Sequence, residues 1–196
     1  QQDARPGDAV GVGQTGGIGT NNKGILPYAL VDSTAGGSGI SFATTDGTAS
    51  AIVRPLSAGE QATTLAVAAN VALTSSAVMG SGISINSLQL GSGNSLTISG
   101  GQTLTVQSGG ILATTGGATI NGGGPVTAGA ADLIFQAVGN TTVNTAITGS
   151  GGITKAGPGT LVLNSQNFAT GNVNIGQGTV VLGGGTNTLF AAVLVG

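Results

Sequence analysis

The side chains that could do chemistry are few and scattered along the chain. There is no histidine and no cysteine, so acid–base catalysis would fall to six Asp and Glu and four Lys and Arg residues. The absence of cysteine also excludes disulfides, iron–sulfur ligation and thiol catalysis. Asp132 and Lys155 lie 23 residues apart, about one coil of the repeat described below, and could stack as neighbours. We interpret them as a surface ion pair worth less than about 1 kcal/mol rather than as a catalytic pair, and predict no enzymatic activity and no catalytic residue.

The other candidate sites also have structural explanations. Asp32, Asp46 and Arg54 lie in turn-rich sequence, where the aspartates would accept backbone hydrogen bonds in Asx-turns or the charged side chains would pair at the surface. The stretch 11–16 fits a dinucleotide fingerprint by letter, but it neither follows a clear strand nor opens a helix. Three glycine-rich stretches lack the aspartate of repeated calcium-binding coils: 36–39, 122–125 and 183–186. We expect no cofactor and no metal.

The composition excludes several classes of partner. Only 5% of the 196 residues are charged and the net charge is -2, with 39 glycines. Nucleic acid and anionic membrane surfaces require clustered basic residues, whereas this chain scatters its four: Arg5, Lys23, Arg54 and Lys155. The longest apolar run, 190–195, is far shorter than the roughly 20 residues of a membrane-spanning helix. The first residues resemble no signal peptide, so an exported protein would be represented here by a mature or trimmed chain.

The elements that must position these residues are short strands. Positions 61–131 carry no charge and contain apolar pairs separated by one residue: Ile83/Ile85, Leu88/Leu90, Leu96/Ile98 and Leu104/Val106. Alternation with period two, interrupted by Gly and Ser, indicates half-buried strands joined by tight turns. Two or three such strands would form one coil of roughly 20 residues, within the range of solenoid repeats.

Strands at this spacing are also typical of an antiparallel sandwich or meander. Three features favour the solenoid: charges are missing even from the turns, aromatic residues are only 3% of the chain, and the strands hold few residues. A sandwich would need a thicker core and charged outer faces. The sequence therefore predicts an all-β fold of stacked parallel coils.

The N-terminal part has a different pattern. We predict an extended or capping segment with edge strands over 1–60 and the β-solenoid over 61–196. Pro27 and Pro55 cannot donate to a strand ladder, so their strands should lie at sheet edges or coil corners. The stretch 65–73 is interpreted as two short strands.

One long motif covers about a sixth of the chain, at 151–183, and resembles the autotransporter-associated β-strand repeat of bacterial surface proteins. The family opens with Gly-Leu-Thr-Lys-x-Gly-x-Gly-Thr-Leu, continues through Asn-x-Tyr-Thr-Gly and closes with x-Val-x-x-Gly-Thr-Leu. The matching residues are Gly152, Thr154, Lys155, Gly157, Gly159, Thr160 and Leu161, then Asn167, Thr170 and Gly171, then Val173, Gly178, Thr179 and Leu182. The departures are Ile153 and Val180 for leucines and Phe168-Ala169 in the middle segment.

The resemblance implies a right-handed parallel β-helix that is exported to the cell surface as a stalk or passenger scaffold. The region 24–56 more loosely resembles a segment found beside these repeats in very large bacterial surface proteins. A repeat of this kind implies a scaffold and no particular chemistry. We therefore expect a structural module of a cell-surface or secreted protein that propagates by coil-on-coil stacking.

An adhesin module that binds a glycan or host protein through an uncharged face is the alternative. Asparagines and threonines at coil corners would stack along the axis: Asn144, Asn164, Asn167, Asn172 and Asn174, with Thr142, Thr154, Thr160, Thr170 and Thr179. Such a face would have few aromatic platforms, because the chain holds only Tyr28, Phe42, Phe135, Phe168 and Phe190.

The stretch 188–196 is apolar, uncharged and strand-like. A terminal coil without a polar cap exposes core and unpaired backbone. We expect either that the chain continues or that the end pairs with another subunit, with no membrane insertion of this segment.

Overall fold

Residues 12–34, 39–46, 52–91, 93–165, 169–183 and 192–196 are described by a computed structural model. Strands make up 51% of the structure and helix 2%, and parallel sheets stack into a β-solenoid of about six turns. The predicted all-β solenoid is thereby confirmed, and the described residues form no antiparallel sandwich.

The first three strands form a separate antiparallel sheet, here called the N-terminal sheet. They are β1 (Leu26–Asp32), β2 (Ile40–Thr45) and β3 (Val53–Pro55), arranged in the order β1-β2-β3. Because β1 and β3 are the outer strands, Pro27 and Pro55 lie at sheet edges, as predicted. A single turn of 3-10 helix, Ala58–Glu60, leads from this sheet to the solenoid.

Within the described ranges, seventeen further strands build the coils. In chain order they are β4 (Asn70–Leu73), β5 (Ala77–Met79), β6 (Ile83–Ile85), β7 (Ser87–Leu90), β8 (Asn94–Ile98), β9 (Leu104–Val106), β10 (Gly110–Ala113), β11 (Ala118–Gly122), β12 (Val126–Thr127), β13 (Leu133–Ala137), β14 (Thr141–Val143), β15 (Ile147–Thr148), β16 (Ile153–Ala156), β17 (Thr160–Leu163), β18 (Val173–Ile175), β19 (Thr179–Leu182) and β20 (Val193–Val195).

Three parallel sheets run along the solenoid. Sheet 1 has the order β20-β18-β16-β13-β10-β7-β4, sheet 2 the order β19-β17-β14-β11-β8-β5, and sheet 3 the order β15-β12-β9-β6. Every ladder neighbour is therefore the corresponding strand of the adjacent coil. Strands about 4.8 Å apart give sheet 1 a length of roughly 30 Å along the axis.

The inner column of sheet 1 passes through every coil. Its members, paired in register, are Val71, Leu88, Ile111, Phe135, Lys155, Ile175 and Val195. The step along this column is 20 residues from Phe135 to Lys155 and again from Lys155 to Ile175. Earlier coils also include a strand of sheet 3, which ends at β15 among the described residues.

Alternating side chains separate the core from the surface. In β8, Leu96 and Ile98 are fully buried, whereas Ser95 and Thr97 point outward and are half-buried. Burying a leucine or isoleucine side chain contributes about 1.5–3 kcal/mol, and each coil shields the core of the next. The interior is consequently one continuous apolar cluster from Ala69 to Val173.

The N-terminal sheet covers the outer face of sheet 1. Leu112 points away from the solenoid core and is fully buried in a second cluster with Ile25, Phe42 and Leu56. Gln136 Nε2 donates to the carbonyl of Pro27 at 3.1 Å. The N-terminal sheet therefore shields Leu112 from solvent, which the alternating sequence pattern alone does not predict.

The start of the solenoid shows where one sequence prediction was wrong. Only Asn70–Leu73 of the stretch 65–73 is a strand. Leu65 packs against the end of the core, and Ala68 has a φ of 60°, which breaks an extended chain. Ala62 instead pairs in parallel with Val71 and covers the edge of β4.

The last coil has a different exposure. Val193 and Val195 occupy inward positions above Val173 and Ile175, yet they are 50% and 77% exposed. Apolar core positions are therefore accessible at this end of the described structure.

Candidate functional site

The structure sends Asp132 and Lys155 to different partners. Asp132 Oδ1 accepts a hydrogen bond of 2.6 Å from the backbone N–H of Gly152. Lys155 is fully buried in the inner column of sheet 1, between Phe135 and Ile175. The expectation of a surface ion pair was therefore wrong, because the strand alternation turns the lysine inward.

The ammonium group of Lys155 is held by backbone carbonyls. Nζ donates to Ala156 O at 2.9 Å, Gly157 O at 2.7 Å and Gln177 O at 3.0 Å. Burial lowers the pKa of Lys155, because removal from water disfavours the charged form. Three carbonyl dipoles satisfy all three N–H donors, so this lysine has a structural explanation without a reacting partner.

Glycines make the space that this lysine needs. Gly178, in the next coil, has a φ of +78°, and a Cβ there would lie 2.7 Å from Lys155 Nζ. A Cβ at Gly159 would lie 2.5 Å from the carbonyl oxygen of Gly139 in the coil below. The Lys-x-Gly-x-Gly segment of the motif thus builds a tight corner around a buried cation.

A second buried charge lies where the N-terminal sheet meets the solenoid. Glu60 is fully buried, and its carboxylate pairs with both terminal nitrogens of Arg54, at 2.6 and 2.7 Å. The backbone N–H groups of Gly19 and Ser57 also donate to it, each at 3.0 Å. The Arg54 guanidinium, helped by these two N–H groups, lowers the pKa of Glu60 to about 2.

This ion pair was only half anticipated. Arg54 was expected in a surface pair, but Glu60 was not identified as its partner. The signal was present, because Ser57 and Glu60 fit the S-x-x-E capping-box pattern. The Asx-turn expected at Asp32 is confirmed, because Asp32 Oδ1 accepts from the N–H of Thr34 at 3.0 Å. Asp46 Oδ1 accepts from the N–H of Ile52, six residues further on, at 3.2 Å, a contact that is not an Asx-turn.

Buried amides attach the segment before β1 to the first coils. Asn70 Nδ2 and Asn86 Nδ2 both donate to the carbonyl of Lys23, at 2.9 and 3.0 Å. Asn86 Nδ2 also donates to Asn70 Oδ1 at 2.7 Å. This network is not predictable from the sequence, because isolated asparagines in turns carry no periodic signal.

The outer face of sheet 2 carries a ladder of three asparagine side chains. Asn144 Nδ2 donates to Asn121 Oδ1 at 2.7 Å, and Asn164 Nδ2 donates to Asn144 Oδ1 at 2.8 Å. The expected stacking of Asn144 and Asn164 is confirmed, and Asn121 is the third member. Asn167, Phe168 and Phe190 lie outside the described residues.

We call this surface the sheet 2 face and define it by two outward columns. The first column contains Ser95, Thr119, Thr142, Val162 and Val181, and the second contains Thr97, Asn121, Asn144 and Asn164. Neither column includes a charged or aromatic residue. Phe42 and Phe135 are buried, so of the aromatic residues in the described part of the chain only Tyr28, on β1, is exposed.

Known proteins give no assignment for these features. Comparisons of the chain with protein-family models, with curated proteins and with solved structures find no match. Within the described ranges, no helix is long and apolar enough to span a bilayer. The same residues contain no group of three or more His, Cys, Asp or Glu that could hold a metal ion.

Proposed function

We propose that this protein is a structural scaffold, a stalk module that keeps other parts of a surface or secreted protein apart. One observation carries the proposal: the inner column of sheet 1 continues through every coil from Val71 to Val195. A stack in which each coil contacts only its neighbours gains length by adding coils. The buried charges Lys155 and Glu60 serve the same end, because each has structural partners.

The resemblance of 151–183 to the autotransporter-associated repeat supports an extracellular or outer-membrane-associated location. The motif spans β16 to β19, and its lysine and glycines form the corner that the 20-residue step requires. Membership of that family and the cell-surface location are part of the proposal. Immunolabelling of intact cells of the source organism, with antibodies against 61–196, tests the location; labelling only after lysis would contradict it.

The exposed inner positions Val193 and Val195 support coil-on-coil stacking with another copy at this edge of sheet 1. Light scattering over a dilution series tests association of the isolated 196-residue chain. A monomer that persists at every concentration would contradict self-association of this chain, but it would leave the scaffold proposal intact.

The scaffold itself is tested by removing one coil. Deletion of 153–172 joins the end of one coil to Val173, because Leu133 pairs with Ile153 and Ile153 pairs with Val173. We expect the shortened protein to remain a β-solenoid by circular dichroism and to lose about 5 Å of maximum dimension in X-ray scattering. Deletion of 153–162, half a coil, is the matched control and should disrupt folding, since it breaks the register. Equal tolerance of both deletions would contradict the stacked-module proposal.

A second function is favoured by one specific observation. The N-terminal sheet covers sheet 1, whereas the polar columns of the sheet 2 face remain accessible. We propose as the alternative that this face binds an uncharged ligand, as an adhesin module would.

A further inference from the structure

The sheet 2 face has the shape of a strip. Neighbouring strands are about 4.8 Å apart, and outward residues on one strand are about 6.6 Å apart. Five strands, β8, β11, β14, β17 and β19, carry the columns. The strip is therefore roughly 20 Å long and 7 Å wide, with its long direction along the solenoid axis. A linear polymer fits such a strip better than a globular partner does.

The side chains of the strip are held in place. Asn121, Asn144 and Asn164 fix one another through amide hydrogen bonds of 2.7 and 2.8 Å. Threonine is stiff at χ1 because it is β-branched. A ligand that binds here would immobilise few rotamers, which lowers the entropic cost of binding.

The strip also has unused hydrogen-bonding capacity. Each amide has two N–H donors and a carbonyl oxygen that accepts more than one hydrogen bond, and the ladder uses only part of this capacity. Among the contacts of the described residues, the hydroxyls of Thr119 and Thr142 have no protein partner. Hydrogen-bonding side chains consequently face outward at intervals of about 4.8 Å from Ser95 to Thr142 in the first column, where Val162 and Val181 follow, and from Thr97 to Asn164 in the second.

The lack of charged side chains in the two columns limits the class of ligand that can bind. The columns contain no cation for a phosphate, sulfate or uronate and no anion for a basic peptide. The ligand must be neutral, rich in hydroxyl groups, extended and repetitive at a spacing close to that of the coils. We propose that the sheet 2 face binds a neutral, linear polysaccharide that lies along the solenoid axis, an inference that rests on the second of the two proposed functions.

Sheet 3 offers a matched control surface. Its outward column, Ser84, Thr105, Thr127 and Thr148, has the same residue types and the same pairing in register. It spans only four strands and has no adjacent amide column. It lacks the second row of groups that a sugar chain lying flat would need.

The experiment uses isosteric substitutions. Val162 and Val181 already occupy the first column, so Thr119→Val with Thr142→Val removes two hydroxyls from positions where valine is tolerated. The control is Thr105→Val with Thr148→Val on sheet 3, in the same outward column. All variants are first matched to the wild type by circular dichroism and thermal unfolding. Binding is then measured by depletion on regenerated cellulose and on β-1,3-glucan, with polygalacturonate as the charged arm.

We expect the wild type to bind at least one neutral polymer, the Thr119/Thr142 variant to lose about tenfold in affinity or more, and the control variant to bind like the wild type. Binding to neither neutral polymer, retention only on polygalacturonate, or an equal loss in both variants would each overturn the proposal. The coil-deletion test has folding and length as its readouts, so failure of polysaccharide binding is distinguishable from failure of the scaffold.

Discussion

The ammonium nitrogen of Lys155 donates to the carbonyl oxygen of Gln177 at 3.0 Å, across 22 residues and into the next coil. The same nitrogen also caps Ala156 and Gly157 in its own coil. A single buried cation therefore ties two consecutive corners of the solenoid together. It occupies a core position because its stem replaces apolar packing, while its head donates to three backbone carbonyls at the corner.

Lys155→Met tests this tie. Methionine fills a similar volume but donates no hydrogen bond, so three carbonyls lose a partner. We expect the free energy of unfolding to fall by about 1–3 kcal/mol in urea denaturation. Thr154→Met is the control, because Thr154 precedes Lys155 in β16 and its side chain points outward, away from the core. A Lys155→Met protein as stable as the wild type would show that the ammonium group makes no net contribution to the free energy of unfolding.

The burial of Lys155 should also affect how the unfolding free energy depends on pH in the alkaline range. Its folded-state pKa is lowered by burial from an unfolded value of 10.5, so near that pH the unfolded chain binds more protons than the folded one. Stability should therefore rise as pH increases from the folded-state pKa towards 10.5. Subtracting the pH profile of Lys155→Met from that of the wild type isolates this contribution. A difference that falls over the same window would contradict the burial of the cation.

Glu60→Gln tests the ion pair that joins the N-terminal sheet to the solenoid. The substitution leaves Arg54 without its carboxylate, and we expect a loss of about 3 kcal/mol in unfolding free energy. Since the pKa of Glu60 is about 2 when folded and 4.5 when unfolded, wild-type stability should fall as pH decreases through that interval. The fall should reach up to about 3 kcal/mol. The stability of the Glu60→Gln protein should not show this fall at acidic pH. If the unfolding free energy of both proteins falls equally with pH, the fall does not come from Glu60.

Periodicity made the coils predictable from sequence. Leu88 and Leu90, or Leu96 and Ile98, each mark a strand by alternation alone, and both pairs are fully buried. Stacking followed because such short strands cannot bury an apolar face except against a neighbouring coil. The cover over Leu112 could not be predicted in this way, because it depends on a distant contact with Phe42.

The candidate sites were less accessible to sequence reasoning. The asparagine stacking was foreseen, since Asn144 and Asn164 differ by one coil length. The burial of Lys155 was not, because a lysine normally indicates surface and its inward direction depends on strand register. A capping-box search would have identified Glu60, but nothing local specifies its contact with Gly19.

The corner glycines allow a matched pair of substitutions. Gly122 has a φ of +116°, and a Cβ there would lie 1.9 Å from the carbonyl oxygen of Ile98. Gly100 has no atom within 4 Å of its virtual Cβ. We expect Gly122→Ala to lower the unfolding free energy by about 3 kcal/mol or more, and Gly100→Ala to change it by less than about 0.5 kcal/mol. Thermal and urea unfolding of both variants provide the measurement, and similar effects at the two positions would contradict the coil spacing.

The asparagine ladder should contribute to cohesion between coils. Asn144 is its middle member, donating to Asn121 and accepting from Asn164, so Asn144→Ala removes two amide hydrogen bonds. Because the ladder is exposed and water replaces part of the loss, we expect a decrease of about 1 kcal/mol in unfolding free energy. Asn174→Ala, on sheet 1 and outside the ladder, is the control. Hydrogen exchange should increase at β14 and β17 in Asn144→Ala but not in Asn174→Ala. Unchanged exchange in both variants would mean that the backbone ladder alone holds these coils together.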